Sequence, residues 1–178
     1  MSRSVFTSNY RRAIVAGASY FFTVVTYQRK PIFCNEAAVQ ILREAFREEM
    51  QHRPFVIEAA VILPDHIHCL WRLPIDDYDF SSRWREIKKA VTKRMGNERN
   101  VRKEGTIWQR RFWEHLVRDE CDWRNPMDYI HYNPVKHGYV AKPSQRQWSI
   151  FNRYVGRGVY DLEWGGTEPE NVSGFYFE

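Results

Sequence analysis

His66-Ile67-His68 follows Leu63-Pro64-Asp65 and precedes the apolar run Cys69-Leu70-Trp71. Side chains alternate faces along a strand, so His66 and His68 point one way while Ile67 and Cys69 point the other, towards a core. Two neutral imidazoles make part of a divalent-metal site and call for a further oxygen donor. Further along, Asp128-Tyr129-Ile130-His131-Tyr132-Asn133-Pro134 places Tyr129 and Asn133 at i and i+4, one face of a helix. A tyrosine hydroxyl, with an ordinary pKa near 10, is a poor nucleophile alone. It becomes useful where a metal ion polarises the phosphate it attacks. Together these residues are equipment for cutting a DNA strand by covalent catalysis. Each also has a plainer reading. A His-x-His pair sits on many half-exposed strands, Tyr129 suits a core, and Asn133 suits a helix C-cap before Pro134. Tyr132, three positions from Tyr129, is an alternative nucleophile. His131 faces elsewhere on such a helix, and His52 and His137 read as solvated loop residues.

The elements that would position these groups are legible from periodicity. Ser19 to Thr26 is aromatic and β-branched, a strand. Glu36 to Met50 carries Val39, Leu42, Ala45 and Phe46 at helical spacing. Phe55 to Leu63 and Ile67 to Leu73 read as two strands joined so closely that an antiparallel hairpin is expected. Ser81 or Ser82 can cap a helix running to Met95, with Trp84, Ile87 and Val91 inward and Arg83, Arg85, Lys88, Lys89, Lys93 and Arg94 on its other faces. Trp108 to Val117 reads as a fourth strand, with Trp113 and His115 on one face. Asp119 can cap a helix reaching Asn133, kinked or restarted at Pro126 and ended by Pro134. Strand, helix, hairpin, helix, strand, helix predicts an α+β fold, an antiparallel sheet covered by helices, of which the ferredoxin-like topology is one arrangement. One domain over 1–178 is expected, with a C-terminal tail from about 144 to 178 packing on or near the core.

Charge narrows the partner. The net charge of +5 is unevenly spread. From Arg83 to Arg111 eleven Lys or Arg face only Glu86, Glu98 and Glu104, a local +8, so the rest of the chain nets −3. A basic segment interleaved with Trp84, Trp108 and Phe112 suits a nucleic-acid backbone; its plain alternative is a solvated helix face and loop. Arg83, Arg85, Lys88, Lys89, Trp108, Arg110 and Arg111 are the candidate DNA contacts. Three unspaced cysteines, Cys34, Cys69 and Cys121, argue against a disulfide framework or thiolate zinc site. With no His-Glu-x-x-His spacing either, a zinc hydrolase is disfavoured. No apolar run has membrane-spanning length, and no membrane partner is expected.

The two signatures, His66-Ile67-His68 after Leu-Pro-Asp and Asp128 to Gly138, resemble those of the REP-associated tyrosine transposases, bacterial relatives of single-tyrosine insertion-sequence transposases within the HUH endonuclease superfamily. Tyr20-Phe21-Phe22-Thr23, Phe80 to Lys89 and Trp108 to His115 fit the same family in consistent order, over roughly residues 10 to 164. The resemblance implies a ferredoxin-like HUH core and, as substrate, single-stranded hairpin DNA of REP/BIME-type repeats with a short unpaired foot. It implies Mg²⁺ or Mn²⁺ on His66 and His68 with Asn133 as third ligand. It implies attack by Tyr129 to leave a 5′-phosphotyrosine and a free 3′-hydroxyl, without ATP. It further implies a cytoplasmic, nucleoid-associated bacterial protein, taken as a monomer with a dimer as the alternative. The rival reading is a non-catalytic regulatory protein that binds hairpin DNA.

Overall fold

The computed structural model describes residues 14–96 and 107–172. Within them the chain runs β1 (Ser19–Val25), α1 (Glu36–His52), β2 (Val56–Ile62), β3 (His66–Arg72), α2 (Phe80–Met95), β4 (Trp113–Leu116), α3 (Glu120–Lys136) and a short α4 (Phe151–Val155). The four strands form one antiparallel sheet in the order β2-β3-β1-β4, the ferredoxin-like arrangement. Among the described residues no helix is long and apolar enough to cross a membrane.

Strand alternation builds two cores on opposite faces. Ile67, Cys69 and Trp71 of β3 join Tyr20, Phe22 and Val24 of β1 under α1 and α2, where Trp71 stacks on Trp84 at 4.5 Å between centroids. Phe21, Leu70, Ala59, Val61 and Leu63 face α3 with Met127, Tyr129 and Ile130. His66 and His68 are in phase with Leu70, so they too face α3. The α1 and α3 caps are built from side chains: Asn35 accepts from Ala38 N–H and Asp119 from Asp122 N–H, each satisfying one orphan donor of the first turn.

Three expectations need correction. The cap of α2 is Asp79, accepting from Ser82 N–H at 2.9 Å, so the helix begins at Phe80, ahead of the serines. The fourth strand is only four residues long, because Trp108 makes an isolated bridge to Thr26 and residues 109–112 link it to β4. Pro134 does not end α3, and Pro126 does not interrupt it. The helix continues to Lys136 with both prolines inside and residues 126 to 134 all buried. Sheet packing on one side and Phe151, Tyr154 and Tyr160 against His131 on the other outweigh the lost backbone bonds. Short pairing of the chain after α3 with the β2 edge, Ile62 N–H to Trp148 C=O and Ile150 N–H to Ala60 C=O, covers an otherwise open strand.

Arg83 is a further correction, with a consequence for stability. It is 1% exposed. Its Nε and Nη groups donate to the carbonyls of Arg53, Pro54 and Asp79 and to Asp77 Oδ2 at 2.6 Å. With four of its five N–H donors engaged, this buried guanidinium ties the start of α2 to the end of α1 and is shielded from DNA. Arg83→Ala is expected to lower stability by roughly 3–5 kcal/mol, towards the lower end because Asp77 is partly exposed. Arg85→Ala, at an exposed position, should change it by less than about 0.5 kcal/mol. Chemical denaturation of the two variants checks the contrast.

Candidate active site

The register of β1 against β3 sets the first half of the site. Thr23 lies opposite His68 and Val25 opposite His66. Thr23 Oγ1 is 2.9 Å from His68 Nδ1, and Asp65 Oδ1, at the tip of the β2–β3 hairpin, is 2.7 Å from His66 Nδ1. Because a carboxylate only accepts, His66 carries its proton on Nδ1 and leaves Nε2 with a free lone pair. Arg29 pairs with the second oxygen of Asp65 at 3.1 Å. Burial works to raise the Asp65 pKa, yet the hydrogen bond to His66 and the charge of Arg29 hold it below the ordinary carboxylate range. Both imidazoles are nearly inaccessible. Burial lowers the His66 pKa, against the pull of Asp65, and burial takes His68 well below the ordinary histidine value. Neutral imidazoles are the ligand form.

The second half comes from α3. Tyr129, Asn133 and His137 stand at i, i+4 and i+8 on one helical face. The Tyr129 ring lies 5.3 Å from that of His68, and the His137 ring 5.2 Å from that of His66. Asn133, between them and fully buried, therefore faces the histidine pair. His66 Nε2, His68 Nε2 and both amide atoms of Asn133 are buried without a hydrogen-bond partner. Such orphans are rare and costly in a folded protein. Two imidazole nitrogens and an amide oxygen, gathered and unspent, fit a divalent cation. Among the described residues no three His, Cys, Asp or Glu gather as a ligand cluster, so an amide oxygen is the available third donor.

The structure brings His66, His68, Tyr129 and Asn133 onto one face of the sheet, beside several neighbours that the sequence reading misses. Lys136 Nζ lies 3.4 Å from the Tyr129 hydroxyl and 4.9 Å from its ring centroid. His137, taken as solvated, is the C-cap of α3 and packs on His66. Lys136 is i+7 from Tyr129, a helical spacing that could have found it. Tyr132, the alternative nucleophile, lies in the buried stretch of α3 facing Gly165. Its position against the tail gives it no contact with the histidines among the ring contacts that Tyr129 makes.

The basic candidates do not converge on this face. They belong to α2, on the other side of the sheet, and to the link before β4. Arg83 is buried, as above. Trp108, 7% exposed, packs on Phe33 and donates through Nε1 to Lys88 C=O, which makes it a core residue and not an open stacking surface. Lys88 donates to Gln109 C=O at 2.6 Å, and burial lowers its pKa to about 8. One of its three donors thus ties the link before β4 to α2. Arg85, Lys89, Arg110 and Arg111 are exposed, the first two beside Glu86. Residues 97–106 of the basic segment lie outside the described residues.

The family described as transposase IS200 like matches residues 14–133. A REP-associated tyrosine transposase of Escherichia coli (strain K12) is 46% identical over 167 residues, covering 94% of this chain and 96% of its own. A putative REP-associated tyrosine transposase of Haemophilus influenzae is 40% identical, covering 94% and 98%. A solved REP-associated tyrosine transposase bound to a REP hairpin superposes with a TM-score of 0.80 at 42% identity, covering 95% of this chain and 99% of that one.

The orphaned atoms generate a stability prediction. Asn133→Leu keeps the branched shape and removes two unsatisfied polar atoms. In EDTA it should leave the protein as stable as the parent or more stable, by up to roughly 1–3 kcal/mol. Chemical denaturation measures this, and a clear loss of stability would mean that Asn133 is already satisfied.

Proposed function

The chain belongs to the transposase IS200 like family, and within it to the REP-associated tyrosine transposases, and on that premise we propose that it cuts and rejoins single-stranded hairpin DNA through Tyr129. The observation that supports this most directly is the buried set of partnerless donors, His66 Nε2, His68 Nε2 and Asn133 Oδ1, beside a tyrosine packed on His68. We take His66, His68 and Asn133 to hold Mg²⁺ or Mn²⁺. Such an ion would draw charge from the scissile phosphate and offset what develops during attack.

The remaining steps belong to the protein's own side chains. The Tyr129 oxygen attacks phosphorus, and the bond from phosphorus to the 3′ oxygen breaks. The products are a 5′-phosphotyrosine and a 3′-hydroxyl, the phenolic proton ending overall on the leaving oxygen. Lys136 Nζ, 3.4 Å from the Tyr129 hydroxyl, donates towards that oxygen as negative charge builds on it. Asp65 and Thr23 hold the two imidazoles in orientation. Return attack by the 3′-hydroxyl restores the strand, so no ATP is required. The substrate we assign is REP-type hairpin DNA, carried over from the relative solved with a REP hairpin. Arg85, Lys89, Arg110 and Arg111 are the exposed cations we assign to its backbone.

Full-length protein incubated with hairpin-bearing single-stranded DNA and Mn²⁺ should form a covalent adduct on a denaturing gel. Tyr129→Phe should abolish the adduct while hairpin binding persists. EDTA should abolish it too, and Mg²⁺ or Mn²⁺ should restore it. Hairpin binding by the parent protein without any adduct would leave a regulatory DNA-binding protein in place of an enzyme. In a salt titration, neutralising Arg110 and Arg111 together should lower the slope of log affinity against log salt by up to about 2. An unchanged slope and affinity would move the DNA elsewhere.

A further inference from the structure

Helix α3 ends in a motif that aims an aromatic ring outward beside the histidine pair. Gly138 N–H donates to Val135 C=O at 2.8 Å and Tyr139 N–H to Pro134 C=O at 2.9 Å, with Gly138 at φ 70°. This double closure, requiring a left-handed residue at Gly138, fixes where Tyr139 leaves the helix. Tyr139 nevertheless remains 44% exposed. From the centre outward, ring centroids follow one another: His66 to His137 at 5.2 Å, then His137 to Tyr139 at 6.0 Å. The Arg146 guanidinium lies 5.8 Å from the Tyr139 ring and 4.6 Å from that of Trp148, and is anchored by Nε to Ile62 C=O at 3.1 Å.

A second cation borders the same rim. Arg29, with 45% of its side chain exposed, reaches Asp65 Oδ2 from the turn after β1. Gln28 and Arg29 are the non-glycine residues with positive φ among those described, at 55° and 51°. Two successive residues in this region are strained and persist only where neighbours over-determine them. Here Thr26 does so, with its N–H donating to Asp65 C=O and its hydroxyl close to both that carbonyl and that of Lys30. The strained turn thus holds Arg29 over the hairpin that carries His66.

An exposed π face with cations on its borders, next to a phosphate-cutting centre, matches an unpaired base and its flanking phosphate. Building on the function proposed above, we propose that Tyr139 is the stacking platform for an unpaired nucleotide next to the scissile phosphate, with Arg29 contacting the adjoining phosphate and Arg146 backing the ring. The alternative platform is Trp113, 38% exposed and 5.6 Å from Phe21 on the other flank of Tyr129.

The test uses full-length Tyr129→Phe protein, which binds without cutting, in Mg²⁺. Two oligonucleotides are compared, a hairpin with a single-stranded foot carrying 2-aminopurine and the same hairpin without the foot. Tyr139→Ala and Tyr139→Leu should weaken binding of the footed DNA by about 5- to 150-fold, the worth of one stacked base. They should also relieve the 2-aminopurine quench and leave the footless hairpin unaffected. Tyr139→Phe should retain both affinity and quench. The Leu variant keeps the apolar contact at the helix end, so a loss shared with Ala is a loss of stacking and not of folding. Arg29→Gln should lower the salt slope for footed DNA by about 0.7. If Tyr139→Leu leaves the quench and the contribution of the foot unchanged, or if Trp113→Ala removes them instead, the platform is wrong while the transposase reading stands. If the footless hairpin does not bind at all, the transposase substrate assignment fails and the platform falls with it.

Discussion

The pairing of β1 with β3 is the constraint on which the rest of the site depends. Seven consecutive pairs run from Ser19 with Arg72 to Val25 with His66. A slip of one residue would turn every β3 side chain over, sending His66 and His68 into the aromatic core and Trp71 towards α3. Such a slip would bury two imidazoles among Phe22, Trp84 and Phe46 and strand the largest ring of that core. The packing of Trp71 between Phe55 and Trp84 therefore holds the register that points the histidines at Tyr129. The core on one face specifies the chemistry on the other.

The helix opposite is held by an unusual amount of protein. Nine consecutive residues of α3 are buried, prolines included. The side away from the sheet is occupied by the chain after it: Tyr160 hydrogen-bonds to Asp128 Oδ1, Asn171 reaches Asp128 Oδ2 at 2.7 Å, and His131 sits among three aromatic rings. Burial takes the His131 pKa down to about 3, so it behaves as an uncharged packing group. Asp128 precedes Tyr129 directly, so the contacts that clamp one side of the helix orient the tyrosine on the other. Under the proposed function, a nucleophile that must meet a phosphate in line would gain from such a fixed backbone.

How far the site was legible follows from the kind of signal each residue carried. His66 and His68 were readable because a period of two on a strand survives without tertiary knowledge, and Tyr129 and Asn133 because a spacing of four does on a helix. Arg83 was misread because its charge argues for solvent, while its acceptors combine the nearby Asp77 and Asp79 with the Arg53-Pro54 corner some thirty residues away, which only the fold brings into reach. Trp108 was misread because it packs in the core and donates to the Lys88 carbonyl twenty residues away, and the bond from Lys88 to the Gln109 carbonyl was equally out of reach of local pattern. Pro134 was taken as a helix end and Pro126 as a kink or restart because local propensity says so, and burial on both sides of α3 overrides it. Periodicity placed the four candidate residues on common faces, whereas hydrogen-bond bookkeeping across the fold could not be done without coordinates.

The separation of charge from chemistry has a structural meaning of its own. The cations of α2 cover one face of the sheet and the histidine–tyrosine centre occupies the other, so one flat DNA surface cannot meet both. The link between them is short. Arg110 and Arg111 lead into β4, where Trp113 pairs with Thr23, and Thr23 in turn pairs with His68 across β1 and β3. At about 3.3 Å per residue along a strand and about 4.8 Å between strands, the two arginines enter the sheet within a few residues of the centre. Under the proposed function, a duplex stem lying along the basic face would therefore pass its single strand around the β4 edge, and that edge is only four residues long. A long, flat outer strand would widen the path between the face proposed to grip phosphates and the face proposed to cut one. On that reading, the brevity of β4, shorter than its sequence suggests, would keep those two surfaces within reach of a single nucleic acid.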